Sequence, residues 1–280
     1  MRFAVFGDFR IQTMPFEAVM RSIRNDGADF ALCVGDMAKK REIQHFCWLA
    51  ERMKRAGGDL KIFCTPGNND RESRDPHENG LRAYKGSFGQ PGYWFAWGDS
   101  LFVSLDTSAE RLAVGEFERL EEILKRERNR FNRLVVFTHV PPVDLRGDGR
   151  GECLPDEDVR RLEPLLREYR VSLVVAGHQH AEARWKFAGA PLLVVPTSGQ
   201  KGEGKDPRYG YWMVELLPDG GITAECRRVE TGDGTDAIEY ILSSRLNQTG
   251  WLFRGGLCLL LIGGGVLLFR RKIRGNEKSA

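Results

Sequence analysis

The sequence predicts an α/β fold built on a largely parallel, buried sheet. Three observations predict it. Short apolar runs alternate with segments of helical spacing from Met1 to Asp70, the connections between them are short, and each run ends in a turn that carries a polar residue. Met1 to Phe6 is the first strand, running into "GDFR". Pro15 to Asn25 then places Phe16, Val19, Met20 and Ile23 on one helical face. "ADFALCVGD" is a second strand ending at Asp36, and Arg41 to Arg55 is a helix closed by Gly57 and Gly58. "LKIFCTPGNND" is a third strand ending in a Pro-Gly loop. The order β-α-β-α-β with short links implies parallel pairing and strands covered on both faces.

The second half continues the pattern with a hairpin, "YWFAWGDSLFVSLD", whose Gly98-Asp99 suits a tight turn. Glu116 to Arg128 reads as a charged helix, "RLVVFTHVPP" as a strand stopped by two prolines, Pro155 to Tyr169 as a helix and "VSLVVAGHQH" as a strand. "WKF", "PLLVVP", "YGYWMVEL" and "ITAECRRVE" read as antiparallel strands added late. The domain is expected over 1–230, followed by a polar linker, 231–250.

From Trp251 to Phe269 the chain is almost wholly apolar, and "RRKIRG" follows within a basic tail, 270–280. Nineteen helical residues span roughly 28 Å, about the thickness of a bilayer core. A single C-terminal transmembrane helix over 251–269 is therefore expected, with Arg254 in its first turn. The basic cluster argues for a cytoplasmic C-terminus, whereas the lack of a signal peptide before the first strand argues for a cytoplasmic N-terminal domain. One helix cannot satisfy both, and the second argument favours a cytoplasmic domain.

Of 280 residues, 41% are hydrophobic and 29% charged, as in an ordinary globular protein with a sizeable core. The net charge of +3 is too small to imply a nucleic-acid partner. The six cysteines include no CxxC pair, and Cys33 and Cys64 fall inside buried strands, so they read as reduced core residues.

The polar residues at the strand ends are narrow in type: Asp8, Asp36, Asn68, His139, and the pair His178 and His180. Ligands of open α/β sheets gather outside the carboxyl ends of strands, so these side chains are expected to converge there. One aspartate after a strand is most often a helix cap or turn former. The set reads differently, since three of the chain's five histidines lie at these ends. Carboxylate, amide oxygen and imidazole suit divalent Mn, Fe or Zn.

In the motifs "GDFR", "VGDM", "PGNND", "FTHVPP" and "AGHQH", taken in that order, the chain resembles the calcineurin-like metallophosphoesterases over about Met1 to Glu230. The resemblance implies two packed mixed β-sheets flanked by helices, an αββα sandwich. It implies one or two divalent ions, with Asp36 bridging two metals about 3.5–4 Å apart. Asn68, His139 and His178 would complete one site, and Asp8 and His180 would belong to the other. Two cations would neutralise an anionic phosphate ester and acidify a bridging water for in-line attack.

Two positions depart from the family pattern, and with His139 they make up the candidate catalytic residues. Arg10 stands where the first motif usually has histidine. The metal on Asp8 then loses one imidazole, or the Arg10 guanidinium occupies or flanks that position, or Arg10 swings away to a surface carboxylate. Asn69 stands where a histidine would assist the leaving group, and an amide does not titrate near pH 7. Either the leaving group needs no acid, as with a phosphoanhydride, or another residue such as His77 serves.

Three further stretches have both plain and functional readings. The Gly-rich "PTSGQKGEGKDPRYGYW" lacks P-loop spacing and reads as a loop at the mouth of the site. Tyr93, Trp94, Phe95 and Trp97 read as filling the core and its edge rather than stacking on a base, and "VDLRGDGRGECLPDED" as a loop placed to overhang the site. The expected function is metal-dependent hydrolysis of a phosphoester or phosphoanhydride. Its substrate is a phosphorylated small molecule or a lipid-linked one. The alternative is a non-catalytic membrane-bound module that binds a phosphorylated ligand through one metal and Arg10.

Overall fold

Two β-sheets stack face to face with helices on both outer sides. A computed structural model describes residues 1–10, 13–38, 42–73, 80–146, 151–199 and 209–230. The first sheet takes β1 (Arg2–Phe6), β2 (Phe30–Cys33), β3 (Lys61–Cys64), β10 (Tyr209–Leu216) and β11 (Ile222–Val229) in the order β11-β10-β1-β2-β3. The second takes β4 (Trp94–Trp97), β5 (Ser100–Ser104), β6 (Arg133–Phe137), β7 (Leu173–Ala176), β8 (Ala183–Phe187) and β9 (Ala190–Val194) in the order β4-β5-β6-β7-β9-β8. Met1–Thr231 forms one compact unit.

The two-residue period of a strand decides which side chain enters which layer. In β1, Phe3 and Val5 point between the sheets, where they meet Phe30, Leu32, Phe102, Val135, Phe137 and Val175. The alternate residues Ala4 and Phe6 face the other way, beneath α1 (Thr13–Asn25) and α2 (Ile43–Gly57). Phe16, Val19, Met20 and Ile23 of α1 and Phe46, Leu49 and Met53 of α2 fill that layer. α3 (Arg82–Phe88) comes next in the chain, and on the far side Leu134, Val136 and Val174 meet Leu120, Ile123 and Leu124 of α4 (Glu116–Glu127) and Leu162, Leu165 and Leu166 of α5 (Asp156–Glu168).

Rings dominate the layer between the sheets. Phe30 stacks on Phe3 at 5.2 Å and meets Phe102 edge-on at 5.2 Å, and Phe95 stacks on both Phe63 and Phe102. The aromatic run after Gly92 is half-buried at the margin of the core, with Tyr93, Phe95 and Trp97 packed against the layer between the sheets and Trp94 against the outer one. Cys33 and Cys64 are buried and free, and they lie opposite each other in the β2–β3 register.

The topology corrects two sequence readings. The polar strand ends do not come from one doubly wound sheet: β1, β2 and β3 bring Asp8, Asp36 and Asn68 from the first sheet, while β6 and β7 bring the histidines from the second. Nor are the late strands all antiparallel. The chain leaves β7 for the edge as β8, turns at Ala188 and Gly189 with φ of 53° and 84°, and returns as β9, parallel beside β7. A hairpin that goes out and back must lay its second arm parallel to the strand it started from. β10 and β11 join the other sheet, antiparallel to β1 and to each other.

Among the described residues no helix is long and apolar enough to cross a membrane. The linker, the expected transmembrane helix over 251–269, the basic tail, His77, and Lys201, Lys205 and Arg208 of the Gly-rich loop lie outside the described residues.

Candidate metal centre

The ends of β1, β2 and β7 turn sharply as they deliver their side chains. Asp8, Arg10, Asp36, His178 and His180 all have positive φ, at 56°, 34°, 52°, 72° and 52°. A left-handed conformation costs a non-glycine residue on the order of 1–3 kcal/mol, and such strain concentrates at functional sites. Backbone bonds tie the turns together: Asp8 N–H donates to Gly35 O (3.0 Å), and Gly177 N–H to His139 O (2.9 Å). Close approach makes two glycines necessary. A Cβ on Gly67 would lie 2.3 Å from Asp36 N and Oδ1, and one on Gly177 would lie 2.6 Å from Asp8 Oδ2.

The turns bring the predicted donors together. His139 is fully buried, and its Nδ1 lies 2.7 Å from Val34 O, an acceptor, so the proton sits on Nδ1 and the Nε2 lone pair faces inward. Asn68 Nδ2 donates to Glu110 Oε1 (2.9 Å), which turns Asn68 Oδ1 towards His139 Nε2 at 3.0 Å. His178 Nδ1 stands 3.2 Å and Asp36 Oδ1 3.4 Å from the same nitrogen. An oxygen, a ring nitrogen and a carboxylate thus crowd around one imidazole lone pair. With the proton of His178 on its Nε2, all four atoms present lone pairs to the same space, as the ligands of a cation do. Donors about 2.1 Å from a shared ion stand roughly 3.0 Å apart at octahedral angles and about 3.4 Å apart at tetrahedral ones. The donor set therefore fits one divalent ion.

Asp8 belongs to the same cluster, since Asp8, Asp36 and His139 each offer a donor atom within 4.8 Å of the others. Its two carboxylate oxygens accept the His178 N–H at 3.2 and 3.1 Å, and His180 Nε2 lies 3.5 Å from Oδ1. The two departures from the family pattern both converge on Asp36. Arg10 Nε and Nη2 donate to Asp36 Oδ2 at 3.2 and 3.0 Å. Asn69 donates its N–H to Oδ1 (2.9 Å) and its amide Nδ2 to Oδ2 (2.6 Å). Arg10 has not swung away to a surface carboxylate.

The electrostatics follow from this packing. Burial works against ionisation of Asp36, but His139, Arg10 and the hydrogen bonds from Asn69 outweigh it and hold the carboxyl below its usual range. Burial, reinforced by His139 beside it, lowers His178 to about 4, which keeps the ring neutral and able to ligate. Burial also pulls His180 down, yet the hydrogen bond and charge of Asp8, with the charge of Asp36, hold it above its usual value.

Sequence reading missed the residues that brace the donors. Asp70 is fully buried; its Oδ1 accepts Met37 N–H (3.0 Å) and Ala38 N–H (2.8 Å), and its Oδ2 accepts Gly67 N–H (2.8 Å). It binds the loop after β2 to the loop after β3. Burial and the nearby charge of Asp36 push its pKa up to about 7. The available signal was a carboxylate three residues after Gly67, the spacing of a capping box. Glu110, which orients Asn68, carries no comparable signal. Gln179 sits between the two site histidines and is fully buried. Its Nε2 donates to Val143 O and Glu152 O, both at 2.9 Å, which fastens the loop after His139 onto the His178 turn.

A family model described as "Calcineurin-like phosphoesterase" matches residues 1–182, a span that contains all six predicted ligands. No curated protein matches the sequence. Among solved structures, a dimetal phosphatase from Danio rerio is similar with a TM-score of 0.60 at 12% identity, covering 81% of this chain and 96% of that one. A purple acid phosphatase from yellow lupin (Lupinus luteus) seeds has a TM-score of 0.60 at 14% identity, covering 83% of this chain and 52% of that one. GAP50, described as the anchor in the inner membrane complex of Plasmodium, has a TM-score of 0.54 at 13% identity, covering 86% and 94%. At such identities the likeness is one of fold.

Proposed function

The chain belongs to the calcineurin-like phosphoesterase family, and from that premise we propose that it hydrolyses a phosphoester or phosphoanhydride with a divalent ion, Mn, Fe or Zn, as cofactor. One observation carries the reading: the donor atoms of Asp36, Asn68 and His178 surround the inward lone pair of His139 at coordination spacing. We assign Asp36, Asn68, His139 and His178 as the ligands of one ion, with Asp8 and His180 beside them. Bound there, a divalent ion supplies a Lewis acid for a phosphoryl oxygen and lowers the pKa of a coordinated water.

The protein's own part is to hold the donors in place. Val34 O fixes the tautomer of His139, Glu110 fixes the amide of Asn68, and Asp70 holds the Asp36 and Asn68 loops together. Asn69 has both amide donors engaged by Asp36 and carries no titratable proton, so position 69 gives no proton to a leaving group. That favours substrates whose leaving group departs as a stable anion, such as a phosphoanhydride or an activated ester.

We further place this domain, residues 1–230, at a membrane through a helix over 251–269, with 231–250 as the linker and 270–280 as a basic tail. The apolar run and Arg270, Arg271, Lys272 and Arg274 support that reading, which makes a membrane-proximal or lipid-linked phosphate substrate plausible. The domain is assigned to the cytoplasmic side. The test is a panel of phosphodiesters, monoesters and anhydrides offered to the full-length chain with Mn, Fe or Zn. Asp36→Ala and His178→Ala are expected to abolish metal binding and turnover, and unchanged turnover in either variant would refute the assignment.

A second reading rests on Arg10 and Asn69. Because both departures lie on Asp36, the site also suits a non-catalytic membrane-bound module holding a phosphorylated ligand through one metal and Arg10. Bound metal and tight ligand binding, with no hydrolysis across the panel, would select it.

A further inference from the structure

We infer that the Arg10 guanidinium takes the place of the second metal ion, so that the centre binds a single divalent cation. This deepens the metal-dependent reading above and rests on it. The argument begins with the lone pairs of Asp36. A carboxylate bridges two ions either through both of its oxygens or through the two lone pairs of one. Asp36 Oδ2 already accepts three donors, Arg10 Nε at 3.2 Å, Arg10 Nη2 at 3.0 Å and Asn69 Nδ2 at 2.6 Å. Asp36 Oδ1, the oxygen that faces His139 Nε2, accepts the Asn69 N–H, which leaves it one lone pair and so room for one ion. One oxygen is therefore open to an ion and the other is closed by a cation the protein carries itself.

Arg10 is held at this place by its main chain as well as its side chain. Its N–H donates to Asp36 O at 3.0 Å, and its backbone takes the left-handed conformation, φ 34°, that turns it back onto Asp36. A guanidinium has no lone pair to offer a metal, so the position holds a cation rather than a ligand. Of the donors the family resemblance gives a second ion, Asp8 and His180 remain, with His180 Nε2 3.5 Å from Asp8 Oδ1, and the Arg10 cation stands where a further imidazole would be. Asp8 also lies within the Asp36–His139 cluster, from which it can reach the one ion.

The chemical consequence separates two tasks that a pair of metals would share. A guanidinium supplies fixed positive charge and two parallel donors to phosphoryl oxygens, but it does not coordinate and acidify a water. Its side chain is 35% exposed while that of Asp36 is 1% exposed, so Arg10 lies between the carboxylate and solvent.

The test is metal stoichiometry on the full-length chain, read by elemental analysis and by Mn2+ electron paramagnetic resonance. The wild type is expected to hold one Mn2+ per chain with an uncoupled six-line spectrum. Arg10→His, which restores an imidazole, is expected to hold two, with the spectrum of an exchange-coupled pair. Two coupled ions in the wild type would overturn the inference whether or not the variant folds. A folded Arg10→His that still holds one ion would also overturn it. One ion without hydrolysis of any phosphate substrate would sink the hydrolase reading and leave the role of Arg10 standing. No ion in either protein would remove both.

Discussion

Asp70→Ala is the perturbation whose outcome follows most directly from the packing. The carboxylate is the acceptor for three buried N–H groups, those of Met37, Ala38 and Gly67. Leaving a buried donor unpaired costs about 1–3 kcal/mol, and some of the three would find water in the space left by the side chain. Against that loss stands relief of the repulsion between Asp70 and Asp36, which with burial raises Asp70 from 3.8 to about 7. A carboxyl whose folded pKa lies above its unfolded value contributes stability that is full below the unfolded pKa and lost as pH rises through the folded one. Between pH 5 and pH 8 that contribution falls by roughly 2–3 kcal/mol. The metal-free variant is therefore expected to be less stable than wild type by about 2–4 kcal/mol at pH 5 and by only about 1 kcal/mol at pH 8. Urea unfolding of both chains at the two pH values, in chelator, measures it. Equal destabilisation at both pH values would refute the assigned ionisation, and none at pH 5 would refute the bracing role.

Other outcomes follow from the same packing. Phe30→Ala opens a cavity where five other rings meet Phe30 between the sheets, and should cost about 3–5 kcal/mol in chemical denaturation without altering metal stoichiometry. Gly177→Ala would press a methyl against Asp8 Oδ2 and should lower metal affinity, read by calorimetric titration, more than it lowers unfolding stability. In metal-free protein His178 should bind its proton near pH 4, seen in its ring proton shifts by NMR; a midpoint near 6.5 would contradict its burial beside His139. With no proton to give from position 69, turnover of aryl phosphates should fall steeply as the phenol becomes more basic, and a flat dependence would point to another acid.

The donors of the centre were legible because chemistry repeats at each strand end: an apolar run, a turn, then a residue able to bind a metal. Pattern alone could not assign those strands to two sheets, since alternation shows which residues are buried without naming the layer they enter. The direction of β9 was hidden for a related reason, being fixed by the out-and-back path through β8 rather than by any residue within it. Glu110 and Gln179 escaped because they act through hydrogen bonds to partners 27 to 42 residues away, and a lone polar residue carries no such address; Asp70 had a local signal in its spacing from Gly67, but not for its bonds to Met37 and Ala38. Arg10 was visible as an exception from the start, but its grip on Asp36 depends on a left-handed backbone that sequence does not announce.

The most direct test of the centre is a crystal of the chain grown with Mn or Zn and measured at the metal's absorption edge. A single anomalous peak is expected within about 2.0–2.3 Å of Asp36 Oδ1, Asn68 Oδ1, His139 Nε2 and His178 Nδ1. A metal-replete crystal with no peak among those four atoms would contradict the account.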